Sequence, residues 1–109
     1  MLMQSEHDIQ NSIRIELSKL GYTVFRINVG KVKLKDNRWF DSGLPPGFSD
    51  LIAIKDGRIY FLEVKADKGK VSEAQINFLE QMKKKGCRAG VVRSVEDAIK
   101  IIQEEDDHE

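Results

Sequence analysis

The apolar residues of this chain recur with two different periods, and the switches between them mark out its elements. Ile9, Ile13, Leu17 and Leu20 return at helical spacing between Ser5, a good N-cap, and Gly21, so a first helix is predicted from Ser5 to near Leu20. Residues 22–29 read as a strand with Arg26 and Asn28 on one face. A short hairpin follows, residues 31–35 and 38–40 joined around Asp36-Asn37, and then a loop over 42–47 rich in glycine and proline. Residues 51–54 and 58–64 are two further strands joined through Asp56-Gly57, a strong hairpin signal. After a polar loop at 66–71, Ser72-Glu73-Ala74-Gln75 fits a capping box and opens a helix that runs to about Lys85 and is ended by Gly86. Ile76, Leu79 and Met82, with Phe78, are the face predicted to pack it on the sheet. A strand over 87–93 and a helix capped by Ser94, with Val95, Ala98, Ile99 and Ile102 spaced to pack, complete the order.

Composition narrows this picture. With 109 residues, 40% of them hydrophobic, a single domain over 1–109 is expected, ending in an acidic, disordered tail at 104–109. No apolar run approaches the roughly 20 residues that cross a bilayer, and the start shows no basic segment followed by an apolar one. An intracellular protein without a membrane partner is therefore expected. The single cysteine, Cys87, excludes an internal disulfide and falls in a stretch that reads as a buried strand, where a thiol is structural.

The net charge of zero conceals an uneven distribution. Arg26, Lys31, Lys33, Lys35 and Arg38 gather in one segment opposed only by Asp36, and Lys68 and Lys70 follow later. Without its acidic end the chain is net basic, and a basic surface supplies sequence-independent affinity for DNA by releasing counterions. Lys83-Lys84-Lys85 is read equally well as complementing a helix C-terminus. Trp39 and Phe40 are expected to pack against the hairpin, with stacking on bases as the alternative.

The chemistry concentrates in Gly47-Phe48-Ser49-Asp50-Leu51 and Phe61-Leu62-Glu63-Val64-Lys65. Alternation along the strand puts Glu63 and Lys65 on one face while Leu62 and Val64 point into the core from the other. Asp50, at the start of the paired strand, falls beside Glu63. Two carboxylates held together repel unless a cation lies between them, and hard oxygen donors completed by water suit magnesium. Lys65 then holds a water or hydroxide for attack on a phosphodiester, or stabilises the charge that develops on the phosphate. Taken alone, Glu63 and Lys65 also fit an ordinary solvated pair, and it is Asp50 and the strand context that point to metal-dependent phosphodiester cleavage. Glu6, with Gln10 one turn later, either reaches towards that site or complements the helix dipole. Glu16 reads as an edge residue facing the basic surface. Gln75 either closes the capping box or contacts a phosphate or the metal's water.

These pieces, in this order, resemble the PD-(D/E)xK nuclease superfamily and within it the virus-type replication-repair nuclease family, VRR-NUC. The resemblance rests on Glu6 with Gln10, Gly47 to Leu51, Phe61 to Lys65, Ser72 to Gln75, and Gly86 with the strand after it. It implies an α/β, restriction-endonuclease-like fold, a mixed sheet flanked by helices in the order α-β-(hairpin)-β-β-α-β-α. It implies Asp50 and Glu63 as ligands of Mg2+ or Mn2+, the Val64 backbone carbonyl as a further ligand, and Glu6 completing the site. Lys65 would orient or activate the attacking water, and Gln75 would support the site. Ser49 stands where the family often has proline, a position that shapes a turn and supplies no ligand. The implied activity is structure-selective DNA endonuclease action on branched DNA, resembling Holliday junction resolvases, leaving a 5'-phosphate and a 3'-hydroxyl. Phage and bacterial relatives imply a homodimer, since symmetric cutting of a four-way junction needs two sites. Ile15, Leu44 and Phe48 are the exposed apolar residues expected at such an interface. No small-molecule cofactor beyond the metal is expected. The contrasting reading is a nucleic-acid-binding or protein-interaction module that keeps the fold without cutting.

Overall fold

The Ser5 hydroxyl accepts a hydrogen bond from the Asp8 amide at 3.1 Å and opens α1, Glu6–Lys19, in the computed structural model, which describes residues 4–27 and 31–104. Ile9, Ile13 and Leu17 form its buried stripe, and Gly21, at φ 92°, ends it in a conformation that side chains disfavour. Strand β1, Thr23–Arg26, is shorter than predicted, and Asn28, at the end of the predicted strand, lies outside the described residues. Strands β2, Lys31–Lys33, and β3, Trp39–Asp41, form a separate two-stranded ribbon. The chain then makes β4, Leu51–Lys55, and β5, Arg58–Val64, joined by Asp56 and Gly57 at φ 52° and 79°, the positive pair that a two-residue hairpin turn requires. Helix α2, Glu73–Lys84, strand β6, Arg88–Val92, and helix α3, Val95–Glu104, complete the order.

The main sheet runs β1-β4-β5-β6, antiparallel except for the parallel β5–β6 pair that α2 connects. Helices cover both faces, which is why every residue from Tyr60 to Val64 is buried rather than alternating with exposed neighbours. On one face Tyr60, Leu62 and Val64 meet Ile9, Ile13 and Leu17 of α1 and Ala98 and Ile102 of α3. On the other, Phe61 meets Leu79, Ala89, Phe48 and Phe78 beneath α2. Phe48, Phe61 and Phe78 form a mutual aromatic cluster with centroids 4.5 to 6.0 Å apart.

Three expectations are corrected here. Ile76 is 48% exposed, because the inward stripe of α2 is Gln75, Phe78, Leu79 and Met82, and a residue one step from Gln75 is turned about 100° away from it. Phe48 belongs to the aromatic cluster and is not an exposed interface residue. Cys87 precedes β6 and is only half-buried.

Gly47, at φ 87°, packs so tightly on the start of α2 that an added Cβ would strike the Ala74 carbonyl. The loop entering β4 and the N-terminus of α2 are thus held at backbone contact. Gly47→Ala is expected to destabilise the fold by more than about 1 kcal/mol, through the unfavourable φ and the displaced helix end. Chemical denaturation compared with Gly43→Ala checks this: Gly43 shares a positive φ but a Cβ there meets nothing, so it isolates the strain from the clash.

Candidate active site

The β4–β5 register pairs Leu51 with Leu62, which brings Asp50, one residue before β4, opposite Glu63. Asp50 Oδ2 accepts the Val64 amide at 2.9 Å, and the Asp50 carbonyl accepts the Ile27 amide at 2.8 Å, so its side chain and backbone are both tied. Ser49 is fully buried and its hydroxyl donates to the Leu51 carbonyl at 3.1 Å, so a polar side chain is satisfied at this turn. Glu63 is only 1% exposed, which rules out a solvated surface pair. Its Oε2 accepts from Gln75 Nε2 at 3.0 Å and lies 3.9 Å from Lys65 Nζ. Gln75 closes the capping box, its Oε1 accepting the Ser72 amide at 2.9 Å, and it reaches the site through a contact the sequence did not suggest, its nitrogen donating to Glu63.

Burial pushes the Glu63 carboxyl up to about 8 from an ordinary value of 4.5, the neighbouring Asp50 charge and hydrogen bond and the Glu6 charge add to this, and Lys65 opposes it. Glu63 Oε1 is buried without a hydrogen-bond partner among the described residues, and so is Gln10 Oε1 on α1. Among the described residues no group of three or more His, Cys, Asp or Glu side chains forms a ready-made metal cage. Magnesium is commonly held by one or two carboxylates while keeping several waters, so Asp50 with the orphaned oxygen of Glu63 fits an ion of that kind.

Around this centre the other sequence candidates take different positions. Glu6 lies beside Gly69, where an added Cβ would stand 3.3 Å from Glu6 Oε2, so the loop after β5 and the start of α1 meet. Lys68 and Lys70 flank that glycine and are exposed, and Val64, whose carbonyl was a candidate ligand, ends β5 between Glu63 and Lys65. Arg26 is exposed and pairs with Leu51 next to Asp50. Lys33 and Lys35 are exposed on the β2–β3 ribbon, and Arg38 there is paired with Asp36 at 2.6 Å. The side chain of Lys31, like Asn28, lies outside the described residues. Glu16 pairs with Lys19 at 3.1 Å on the α1 surface.

Sequence reading misses Arg93. Its Nη1 donates to the carbonyls of Ala66, Asp67 and Gly69 at 2.7, 3.2 and 2.9 Å, fastening the loop that follows Lys65. The neighbouring Lys65 amide donates to Val92 at 3.0 Å. The carbonyls that Arg93 binds lie 24 to 27 residues earlier in the chain, so no local spacing signals the contact.

A mixed sheet with helices on both faces, an aspartate entering one strand and Glu-x-Lys ending the next defines a restriction-endonuclease-like fold. Within that class the chain belongs to the VRR-NUC domain family, whose model matches residues 4–96. A solved structure described as a VRR_NUC domain shares 23% identity at a TM-score of 0.65, over 92% of this chain and 97% of that one. The Archaeoglobus fulgidus Hjc structure, a Holliday junction resolvase from an archaeal hyperthermophile, shares 20% identity at a TM-score of 0.55, over 79% of this chain and 65% of its own. Both likenesses are of fold. No curated protein matches the chain in sequence.

The raised Glu63 pKa has a consequence for stability. Between pH 4.5 and about 8 the folded chain retains a proton that the unfolded chain has released, so metal-free stability falls as pH rises through that window. Thermal melts in EDTA should show Tm declining from mildly acidic to mildly alkaline pH. Added Mg2+ or Mn2+ should raise Tm most at the alkaline end, and Glu63→Gln should flatten both effects.

Proposed function

We propose that this chain is a divalent-metal-dependent DNA endonuclease of the resolvase type, acting on branched DNA in replication, recombination or repair. The observation that carries this reading is the buried Glu63, with one oxygen held by Gln75 and the other without a partner, beside Asp50 and Lys65. A structural carboxylate this deep would have both oxygens satisfied. A surface dedicated to binding DNA would have no use for two adjacent carboxylates facing phosphates.

In this reading Asp50 and Glu63 hold Mg2+ or Mn2+, with the Val64 carbonyl and Glu6 as further donors. Such an ion, when bound, polarises the scissile phosphate and lowers the pKa of a coordinated water. Lys65 is a donor without acceptor capacity, so its ammonium orients the attacking water through that water's oxygen or steadies the phosphate oxygen on which charge accumulates. The water oxygen forms the new bond to phosphorus as the bond to the 3'-oxygen breaks; the attacking water releases its proton to solvent and the leaving 3'-oxygen takes one from solvent, leaving a 5'-phosphate and a 3'-hydroxyl. Gln75 fixes the orientation of Glu63 and leaves its other oxygen free for the cation. Arg26, Lys33, Lys35, Arg38, Lys68 and Lys70 supply positive charge for the DNA phosphates, and Lys31 and the neutral amide of Asn28 belong to the same proposed DNA-binding set.

One such site cuts one strand, and a two-fold pair of chains supplies the two cuts that resolve a junction. Ile15, 56% exposed on α1, and the half-buried Leu44 are the candidates for that pairing that stay outside the aromatic cluster.

Cleavage of end-labelled four-way junction, flap and linear duplex DNA with Mg2+, Mn2+ or EDTA tests the reading. Asp50→Ala, Glu63→Ala and Lys65→Ala should each slow cutting by at least about 100-fold with DNA binding retained. Gln75→Ala should cost about 10-fold, as expected for a group that orients a ligand. A Lys65→Ala variant that cuts at the wild-type rate would remove lysine from the mechanism, and cutting that persists in EDTA would remove the metal.

A further inference from the structure

Trp39 contradicts the expectation that it packs on its hairpin: it is 63% exposed, the most exposed large apolar side chain among the described residues. It stands on β3 directly opposite Lys33 of β2, so the two side chains share one face of the ribbon. Lys35 lies in the turn at the ribbon's tip, and Leu34, 40% exposed, precedes it. Among the described residues the ribbon is not part of the main sheet, and its two strands pair only with each other. Both of its roots lie at the candidate active site. The chain leaves the sheet where the Ile27 amide donates to the Asp50 carbonyl, and it returns through the 42–48 loop to Asp50 itself.

We propose that the β2–β3 ribbon is a recognition arm on which Trp39 stacks against an unpaired nucleobase next to the cleaved strand. The inference rests on the reading of the chain as a nuclease of branched DNA and specifies how that substrate is told from ordinary duplex. An indole ring outside any core offers a flat apolar face, and every base has a matching one. In continuous duplex those faces are covered by neighbouring base pairs, whereas at a fork, flap or junction they become available. The lysines beside the ring fit the phosphates flanking such a base. They also disfavour a second copy of the chain as the occupant, since two-fold pairing through this face would set Lys33 and Lys35 against their own counterparts.

The chain contains a single tryptophan, so its emission reports Trp39 alone. The 109-residue chain without divalent metal is titrated with a forked duplex carrying unpaired arms and with a blunt duplex of equal length, and affinities are read in parallel from labelled DNA. The arm predicts that forked DNA quenches the emission and blunt duplex does not. Trp39→Ala should weaken binding to forked DNA by about 5- to 150-fold while changing blunt-duplex binding little, and Trp39→Phe should retain most of the affinity. Unchanged emission with forked DNA fully bound, or equal losses on both DNAs in Trp39→Ala, overturns the proposal. So does an emission change in DNA-free protein that tracks dimerisation, which would assign the face to a second copy. Cutting is measured separately with Mg2+. Selective quenching by a wild-type protein that cuts nothing supports the arm while retiring the nuclease reading, and normal cutting without quenching does the reverse.

Discussion

Taking the Glu63 carboxyl out of water is the constraint around which the rest of the structure is arranged. It sits on the central strand β5, with helices on both faces of the sheet, at a depth where an ionised carboxylate is unfavourable without compensation. Each neighbouring element contributes to its surroundings. The entry to β4 brings Asp50, the end of β5 brings Lys65, and the first turn of α2 brings Gln75. The backbone contact of Gly47 with α2 and the Phe48, Phe61 and Phe78 cluster hold these three elements at fixed separations. With one oxygen orphaned and its proton affinity raised, the carboxyl works against stability in the metal-free state. Proteins commonly retain such a cost where function requires the group.

The α2 N-terminus shows how one residue serves two levels of structure. A capping box satisfies amides that the helix leaves unpaired, and glutamine has a second end once its carbonyl is used. In Gln75 that second end donates to Glu63 Oε2 at 3.0 Å. The helix start and the candidate active site are therefore set by the same side chain. Tying the carbonyl end of Gln75 into the capping box restrains the side chain that carries the donor.

Much of this was legible in the chain because it depends on period and local chemistry. The Ile9, Ile13 and Leu17 stripe, the Ser5 and Ser72 caps, the Asp56-Gly57 turn and the pairing of Asp50 with Glu63 all follow from spacing within one element or one hairpin. The readings that failed depend on where distant neighbours land. Ile76 was placed on the buried face because three- and four-residue spacing tolerates a stripe displaced by one position, and only contact with Phe61 and Glu63 fixes the true phase. Phe48 looked exposed because its partner Phe78 comes from a helix far along the chain. Trp39 looked like a packing residue because nothing local reveals that its ribbon stands outside the main sheet. Arg93 gave no signal, since the carbonyls it binds come from the opposite end of a strand-helix-strand crossover.

The tie between Ile27 and Asp50 separates two properties that could have been entangled. The segment between these residues begins and ends at one hydrogen bond, so its span is closed at the base whatever its length. Extending a closed loop is cheap, about 0.6 kcal/mol for each doubling. The ribbon is therefore interchangeable in principle: a shorter, longer or differently charged insert can be grafted at the same two points without moving Asp50, Glu63 or Lys65. The ribbon can diversify by insertion and deletion here while the candidate site stays under its own, stricter packing constraints.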